Sequence, residues 1–332
     1  MNNILVTGAA GFIGSHLSEL LVEKGYHVVG LDNLSYGLLQ NLSSILGHHR
    51  FKFIQGDVRN FDLLVKVGSG IDAIIHLAAY KIPRYGNALE TLDVNVNGTE
   101  SMLKLAEKMG CKMVFVSTSD VYGKNPNMPY SESSELYMGS PQIRRWSYAI
   151  SKILGEHLCY LYNKERGLRT IILRYFGSYG PRQNLTWWGG PQSIFIDCAL
   201  RNKPMPIHGD GLQTRSFTYI KDTVEGTLKA LESEDAVGKA INIGNTEEIS
   251  IHDLGKKVWQ HIRGDEAPEA PKVEFIPYHQ FPGRYEDVRR RVPDIRLAKE
   301  ILRFTPKISL DDGLPLTIEW QKTMTTMEDG RS

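Results

Sequence analysis

The sequence predicts an α/β protein: a Rossmann-type, doubly wound parallel sheet followed by a smaller C-terminal substrate-binding part. Three observations predict it. Short apolar runs alternate with helix-patterned segments through the first half of the chain. The runs are continuous rather than alternating, as strands covered on both faces require. The first run leads straight into a glycine-rich turn and a helix.

Asn3-Ile4-Leu5-Val6 reads as the first strand, Thr7 to Gly14 as the turn, residues 15–23 as the helix, and residues 28–32 as a second strand ending in Asp32. Strand, turn, helix, strand, acid is the order of a dinucleotide-binding βαβ unit. Gly8 permits the tight turn, Gly11 lets backbone approach a pyrophosphate, and Gly14 lets the helix pack on the strand. The pyrophosphate sits on the free N–H groups of the helix start. Asp32 can accept hydrogen bonds from both ribose hydroxyls and would repel a 2′-phosphate, which favours NAD over NADP. The spacing Gly8-x-x-Gly11-x-x-Gly14 departs from G-x-G-x-x-G.

Residues 51–55 form the next expected strand, followed by Gly56-Asp57-Val58, and residues 73–77 another, followed by Ala78-Ala79. A long helix over 88–109 puts Leu92, Val96, Leu103 and Ala106 on one face. A strand at 113–116 leads to Ser117-Thr118-Ser119-Asp120, a second long helix covers 146–166, and a strand covers 170–173. Ligands of such sheets bind at the carboxyl ends of the strands, here marked by Gly8, Asp32, Asp57, Ala78 and Thr118. Beyond residue 180 Gly and Pro become frequent. Segments 187–191 and 202–206 read as loops, while 240–243 reads as one more sheet strand. The expected division is a dinucleotide-binding domain over 1–180 with a return segment at about 213–245, a substrate domain over 181–212 and 246–322, and a polar tail over 323–332.

A length of 332 residues suffices for one large domain or two modest ones. The formal net charge of +1 gives no global field toward nucleic acid or membrane. Cys111, Cys159 and Cys198 are odd in number and widely spaced, with neither a metal-site nor a disulfide pattern. With a strand starting at the N-terminus, leaving no room for a signal peptide, and no apolar stretch near the ~20 residues of a membrane span, a cytoplasmic protein without a metal is expected.

Tyr148-Ala149-Ile150-Ser151-Lys152 carries the chemistry. On a helix, i and i+4 share a face, which brings an ammonium near a phenol. A cation there, joined by that of bound NAD⁺, lowers the phenol pKa. The tyrosinate can then take a proton from a hydroxyl while hydride leaves the same carbon. Thr118 lies at the crevice mouth, where its hydroxyl could share that proton; the alternative is a turn-forming threonine.

With these motifs the chain resembles the extended short-chain dehydrogenase/reductases that modify nucleotide sugars. The resemblance runs from Asn3 to about Trp320. Besides the glycine turn and Tyr148-x-x-x-Lys152 it rests on Gly56-Asp57-Val58, His76-Leu77-Ala78-Ala79, Asn95-Val96-Asn97-Gly98-Thr99, Ser117 to Gly123, Leu173-Arg174-Tyr175-Phe176, Tyr179-Gly180-Pro181-Arg182 and Gly209 to Phe217. It implies a cofactor set of Gly8, Gly11, Phe12, Ile13, Gly14, Asp32, Asn33, Asp57, Val58, Leu77, Ala78, Ala79, Asn95, Ser117, Tyr148, Lys152 and Tyr175. It implies substrate contacts from Lys81, Arg84, Thr118, Ser119, Gly177, Arg215 and Arg291, with Arg215 and Arg291 on the diphosphate of a UDP-sugar. It also implies a homodimer through the two long helices. Arg289-Arg290-Arg291 is otherwise a solvated turn. At 177 the family usually carries asparagine, and Trp187-Trp188 matches no family signature.

The shared first step is oxidation at C4 of the sugar. Thr118, Tyr148 and Lys152 suffice for 4-epimerisation of a UDP-hexose or UDP-hexuronate, which is the expected reaction. Asp120 opens the alternative of UDP-glucuronate decarboxylation, since it resembles the glutamate of the decarboxylases one methylene shorter; it could equally cap the turn that follows. A 4,6-dehydratase would carry Asp-Glu after the threonine. Lys81 and Arg84, if not solvated loop charges, and the segment 287–295 also lean toward an acidic sugar. Arg144-Arg145-Trp146 is unusual, and its tryptophan either walls the sugar pocket or packs in the core.

Overall fold

The structure, a computed structural model, describes residues 1–81, 87–264, 270–281 and 285–329. Its centre is a seven-stranded sheet: β1 (Asn3–Thr7), β2 (His27–Asp32), β3 (Phe51–Gln55), β4 (Ala73–His76), β5 (Lys112–Thr118), β6 (Thr170–Tyr175) and β7 (Ala240–Ile243). The order is β7-β6-β5-β4-β1-β2-β3, and every pairing is parallel. The order reverses between β1 and β4, and that switch point opens a crevice at the carboxyl ends. The strand expected at 240–243 is thus the last of the sheet.

Side-chain alternation explains why both faces are covered. Ile4 and Val6 of β1, Ala73 and Ile75 of β4, Val114 and Val116 of β5 and Ile171 and Leu173 of β6 point into one core. Leu5, Ile74, Met113, Phe115 and Ile172 point into the other. The first core is closed by α1 (Phe12–Glu23) and, later in the chain, α6 (Ile220–Glu232). The second is closed by α2 (Phe61–Val67), α3 (Ala88–Met109) and α4 (Trp146–Arg166). Burying apolar surface at roughly 25 cal/mol per Å² on both faces makes this the main source of stability.

The second half adds α5 (Pro191–Leu200), α7 (Ile251–Arg263), α8 (Arg296–Leu302) and α9 (Leu310–Asp329), together with three two-stranded sheets. Two expected loops are corrected here. Pro191 starts a helix, since the missing N–H of a proline costs nothing at the first helical position. Met205–His208 is a strand paired only with Val273–Ile276, an arrangement whose free edge tolerates Pro206. Among the described residues no helix is long and apolar enough to cross a membrane.

A buried ion pair ties the helices to the sheet. Arg174 of β6 lies 2.6 Å from Glu156 of α4, with side chains 6% and 4% exposed. Glu156 also accepts the Ser117 hydroxyl at 2.5 Å, and Arg174 donates to the Tyr122 hydroxyl and the Glu132 carbonyl. Removing one partner strands a buried charge. Glu156→Gln is therefore expected to cost about 3–5 kcal/mol, read as a lower urea midpoint, whereas Glu156→Leu combined with Arg174→Met recovers most of the loss.

Candidate active site

One cavity of about 800 Å³ runs along the carboxyl ends of the strands. At one end it is lined by Gly8, Gly11, Phe12, Ile13 and Gly14, at the other by Arg215, Tyr285, Asp287 and Arg291, with Thr118, Tyr148 and Lys152 between. The turn after β1 is a cradle that side chains would fill. A Cβ on Gly14 would lie 2.0 Å from the Gly8 carbonyl oxygen. Helix α1 starts at Phe12, three residues earlier than expected, because its N-cap, Gly11, offers no side-chain cap to announce it. Its first amides are left for a ligand. Asp32 accepts from the Ala10 amide at 3.0 Å and the Leu34 amide at 2.8 Å. Burial raises its pKa, against the pull of those amides.

The structure brings most of the expected cofactor set to this cavity: Asn33, Val58, Leu77, Ala78, Ala79, Ser117 and Tyr175 all line it. Two residues do not. Asp57 turns its carboxylate to Arg59 at 2.7 Å and accepts from Asn33. Asn95 is buried, accepts from the Tyr80 amide and donates to Ser151, so it shapes the wall from behind. Ser117 commits its hydroxyl to Glu156. Lys81 is at the cavity rim, and Arg84 lies outside the described residues.

Thr118 is the last residue of β5 rather than just past it. It accepts from the Asp120 amide at 3.2 Å, which caps the short 3-10 turn Ser119–Tyr122, and its hydroxyl reaches the Asp120 carboxylate at 3.5 Å. Thr118 is thus both turn-former and cavity wall. Lys152 is buried, and its ammonium donates to the Val116 carbonyl at 2.8 Å. Burial brings its pKa down to about 8, opposed by Cys159 and Glu156. The expected lowering of the phenol by Lys152 is not what the structure shows. Burial pushes Tyr148 well above its ordinary value, Asp120 adds to that, and the nearby Thr118 hydroxyl pulls the other way.

Asp120 does not cap the following turn with its carboxylate. It pairs with Arg291 at 2.7 Å and with Arg145 at 3.7 Å. Burial alone would raise its pKa, but Arg291 and Arg145, helped by Lys81, hold it at about 2. Arg145 continues to Asp287 at 2.6 Å, and Asp287 to Arg215 at 2.9 Å. Asp287 is held far below the carboxylate range, because Arg215 and Arg145 outweigh burial. The wall is therefore a ladder of alternating charge, Arg291–Asp120–Arg145–Asp287–Arg215. Of the arginine run only Arg291 faces the cavity; Arg289 and Arg290 make exposed pairs with Asp210 and Glu248. Ser119 meets Arg291 at 3.5 Å.

Sequence reasoning missed Arg145, Asp287 and Tyr285 as site residues. The segments 144–146 and 287–295 were visible, but not which side chains meet. Trp146 is core, packed with Ile143, Ala149 and Val288. Four further buried polar atoms on the cavity wall have no partner among the described residues: Gln183 Oε1, Gln192 Nε2, Gln213 Oε1 and Ser216 Oγ. Orphaned buried groups of this kind mark a wall built for a polar ligand.

The comparisons with known proteins agree with this geometry. The GDP-mannose 4,6 dehydratase family model matches residues 5–317. The chain therefore belongs to that family of extended short-chain dehydrogenase/reductases, whose members include nucleotide-sugar epimerases, decarboxylases and dehydratases. It is 40% identical to UDP-glucuronic acid decarboxylase 6 of Arabidopsis thaliana, over 95% of this chain and 88% of the relative. It is 36% identical to UDP-N-acetyl-alpha-D-glucosaminuronate decarboxylase of Bacillus cytotoxicus, over 95% and 96%. The structure superposes with TM-score 0.85 on UDP-glucuronic acid 4-epimerase from Bacillus cereus in complex with UDP-glucuronic acid and NAD, at 34% identity, covering 97% and 99% of the two chains.

Gly177 has a physical reason to differ from the family's asparagine. Its φ is +34°, and a Cβ there would lie 2.5 Å from the Ser216 carbonyl oxygen. Gly177→Asn is expected to lower stability by about 1–3 kcal/mol through that overlap, measured by thermal denaturation.

Proposed function

We propose that the protein is an NAD-dependent decarboxylase of a UDP-hexuronate, working through a 4-keto intermediate. The observation that carries this reading is Asp120, fixed as an anion between Arg291 and Arg145 on the cavity wall that holds Thr118 and Tyr148. The glycine cradle, the open start of α1 and Asp32 fit NAD. When bound, it supplies the hydride acceptor and donor. Arg215, Arg291 and the orphaned amide of Gln192 suit the diphosphate of the substrate, planar guanidinium groups being matched to phosphate oxygens.

As the phenolate, a form that burial disfavours and that the positive charges of Lys152 and of bound NAD⁺ would favour, Tyr148 takes the O4 proton, with Thr118 sharing it. With C4 a ketone, a C6 carboxylate belongs to a β-keto acid. Lys81 steers that carboxylate in. The fixed charge of Asp120 opposes a second anion there and favours neutral carbon dioxide. The C5–C6 bond breaks, its electron pair passes into the C4 carbonyl, and Tyr148 and Thr118 hold the enolate oxygen. A proton from solvent would complete C5, and Tyr148 would give its proton back to O4 as C4 is reduced, which closes the cycle.

A second reading is 4-epimerisation, which needs only Thr118, Tyr148 and Lys152; likeness to the Bacillus cereus epimerase favours it. We also propose a homodimer, supported by the exposed apolar stripe Ile150, Leu154 and Leu161 along α4, and a division of labour in which 1–180 and about 213–245 hold the cofactor and 181–212 with 246–322 hold the sugar nucleotide.

Mass spectrometry of UDP-glucuronate incubated with the protein and NAD⁺, beside UDP-glucose and UDP-N-acetylglucosamine, decides between the readings. Loss of carbon dioxide from the uronate is expected; an unchanged mass with a new chromatographic peak makes the enzyme an epimerase. Asp120→Asn is expected to slow carbon dioxide release by about 10²–10³-fold while NADH absorbance still builds up. Tyr148→Phe should abolish that absorbance.

A further inference from the structure

A reaction that removes hydride and returns it to the same sugar fails whenever the dinucleotide leaves in between. Trp187 and Trp188, which the chemistry above does not use, meet that demand. We propose that Trp188, seated on Tyr36 and Tyr80, is a latch that holds NAD in its groove through the catalytic cycle; this rests on the reading of the site as NAD-dependent.

The sheet topology puts the latch over the cofactor turn. In the order β4-β1-β2, Tyr80 lies on the chain leaving β4 and Tyr36 on the chain leaving β2. The two tyrosines therefore straddle the glycine-rich turn that follows β1. Their hydroxyls meet at 3.0 Å. The Trp188 ring stacks on Tyr36 at 4.5 Å and 22°, and meets Tyr80 edge-on at 5.5 Å and 81°. All three rings line the cavity.

The neighbouring indole grips the opposite side. Trp187 stacks on His208 at 4.2 Å and 28°, and His208 meets Phe281 at 4.6 Å. Between these anchors the segment is bonded to itself. Thr186 N donates to Asn184 Oδ1 at 2.9 Å, Gly189 N to the Thr186 carbonyl at 2.8 Å, and the Gln183 amide to the Gly189 carbonyl. These bonds hold residues 183–189 together as a strap. Tyr36 is 51% exposed, so lifting the strap breaks ring contacts rather than a buried network. Such contacts are individually weak, which suits a latch that must also open.

The test loads the full-length protein with NADH, mixes it with excess NAD⁺ and follows release by NADH fluorescence. Trp188→Ala and Tyr36→Ala should each speed release by about tenfold, while Trp188→Phe, which keeps a ring, stays within about threefold of wild type. Tyr36 is half in solvent, so its loss leaves the fold intact. During turnover Trp188→Ala should also shed free 4-keto nucleotide sugar, detected by mass, which a merely structural role would not produce. Release at the wild-type rate in both alanine variants overturns the latch. Wild-type protein that fails to hold NADH overturns the NAD reading and the latch with it.

Discussion

The contact between Glu156 and Arg174 is the constraint on which the site depends. Glu156 lies one helical turn beyond Lys152 and two beyond Tyr148, while Ser117 precedes Thr118. One carboxylate bonding both Ser117 and Arg174 therefore sets the height of α4 against β5 and β6. Proton transfer requires approach to hydrogen-bond distance, and a small slip of α4 would carry Tyr148 farther from Thr118. Net stabilisation from a buried pair is weak, because desolvation consumes most of the attraction. What the pair contributes here is alignment, with apolar packing on the two sheet faces supplying the stability.

A second principle organises the sugar end. Each of Arg145, Asp120 and Asp287 is partly or wholly withdrawn from water, and each is tolerable only because its neighbours carry the opposite sign. The ladder draws its members from the 3-10 turn after β5, the N-cap of α4, the strand Thr214–Ser216 and the segment at 285–291. It therefore joins the proposed cofactor and substrate portions through charge as well as through the continuous apolar core.

What could be read from the sequence was what is local in the chain. The cradle from Gly8 to Gly14, the acid at Asp32 and the Tyr148–Lys152 pair each occupy one short stretch whose geometry follows from a single element. Thr118 and Asp120 were visible for the same reason. The partners of Asp120 were not, because Arg291 approaches from 171 positions away and only the topology decides which arginine of the run 289–291 turns inward. Helix α1 was expected too late since Gly11 gives no side-chain signal, and the strand Met205–His208 was hidden by its prolines. Asp57 and Asn95 were placed on the cofactor by family likeness, whereas their side chains serve neighbouring protein groups.

The ladder also makes the cavity an ion exchanger in miniature. Three guanidinium groups face two carboxylates, and Lys81 adds a cation at the rim. Burial already disfavours the charge of Arg215, which Arg291 and Arg145 repel. In the proposed function an entering dianion would relieve that repulsion, which is one source of affinity for a diphosphate at this wall. Small anions draw on the same source. Phosphate or sulfate in a buffer competes for the guanidiniums, and salt screens the rim charges over about 10 Å at 0.1 M. Affinity for the proposed substrate would thus be a property of the medium as well as of the fold.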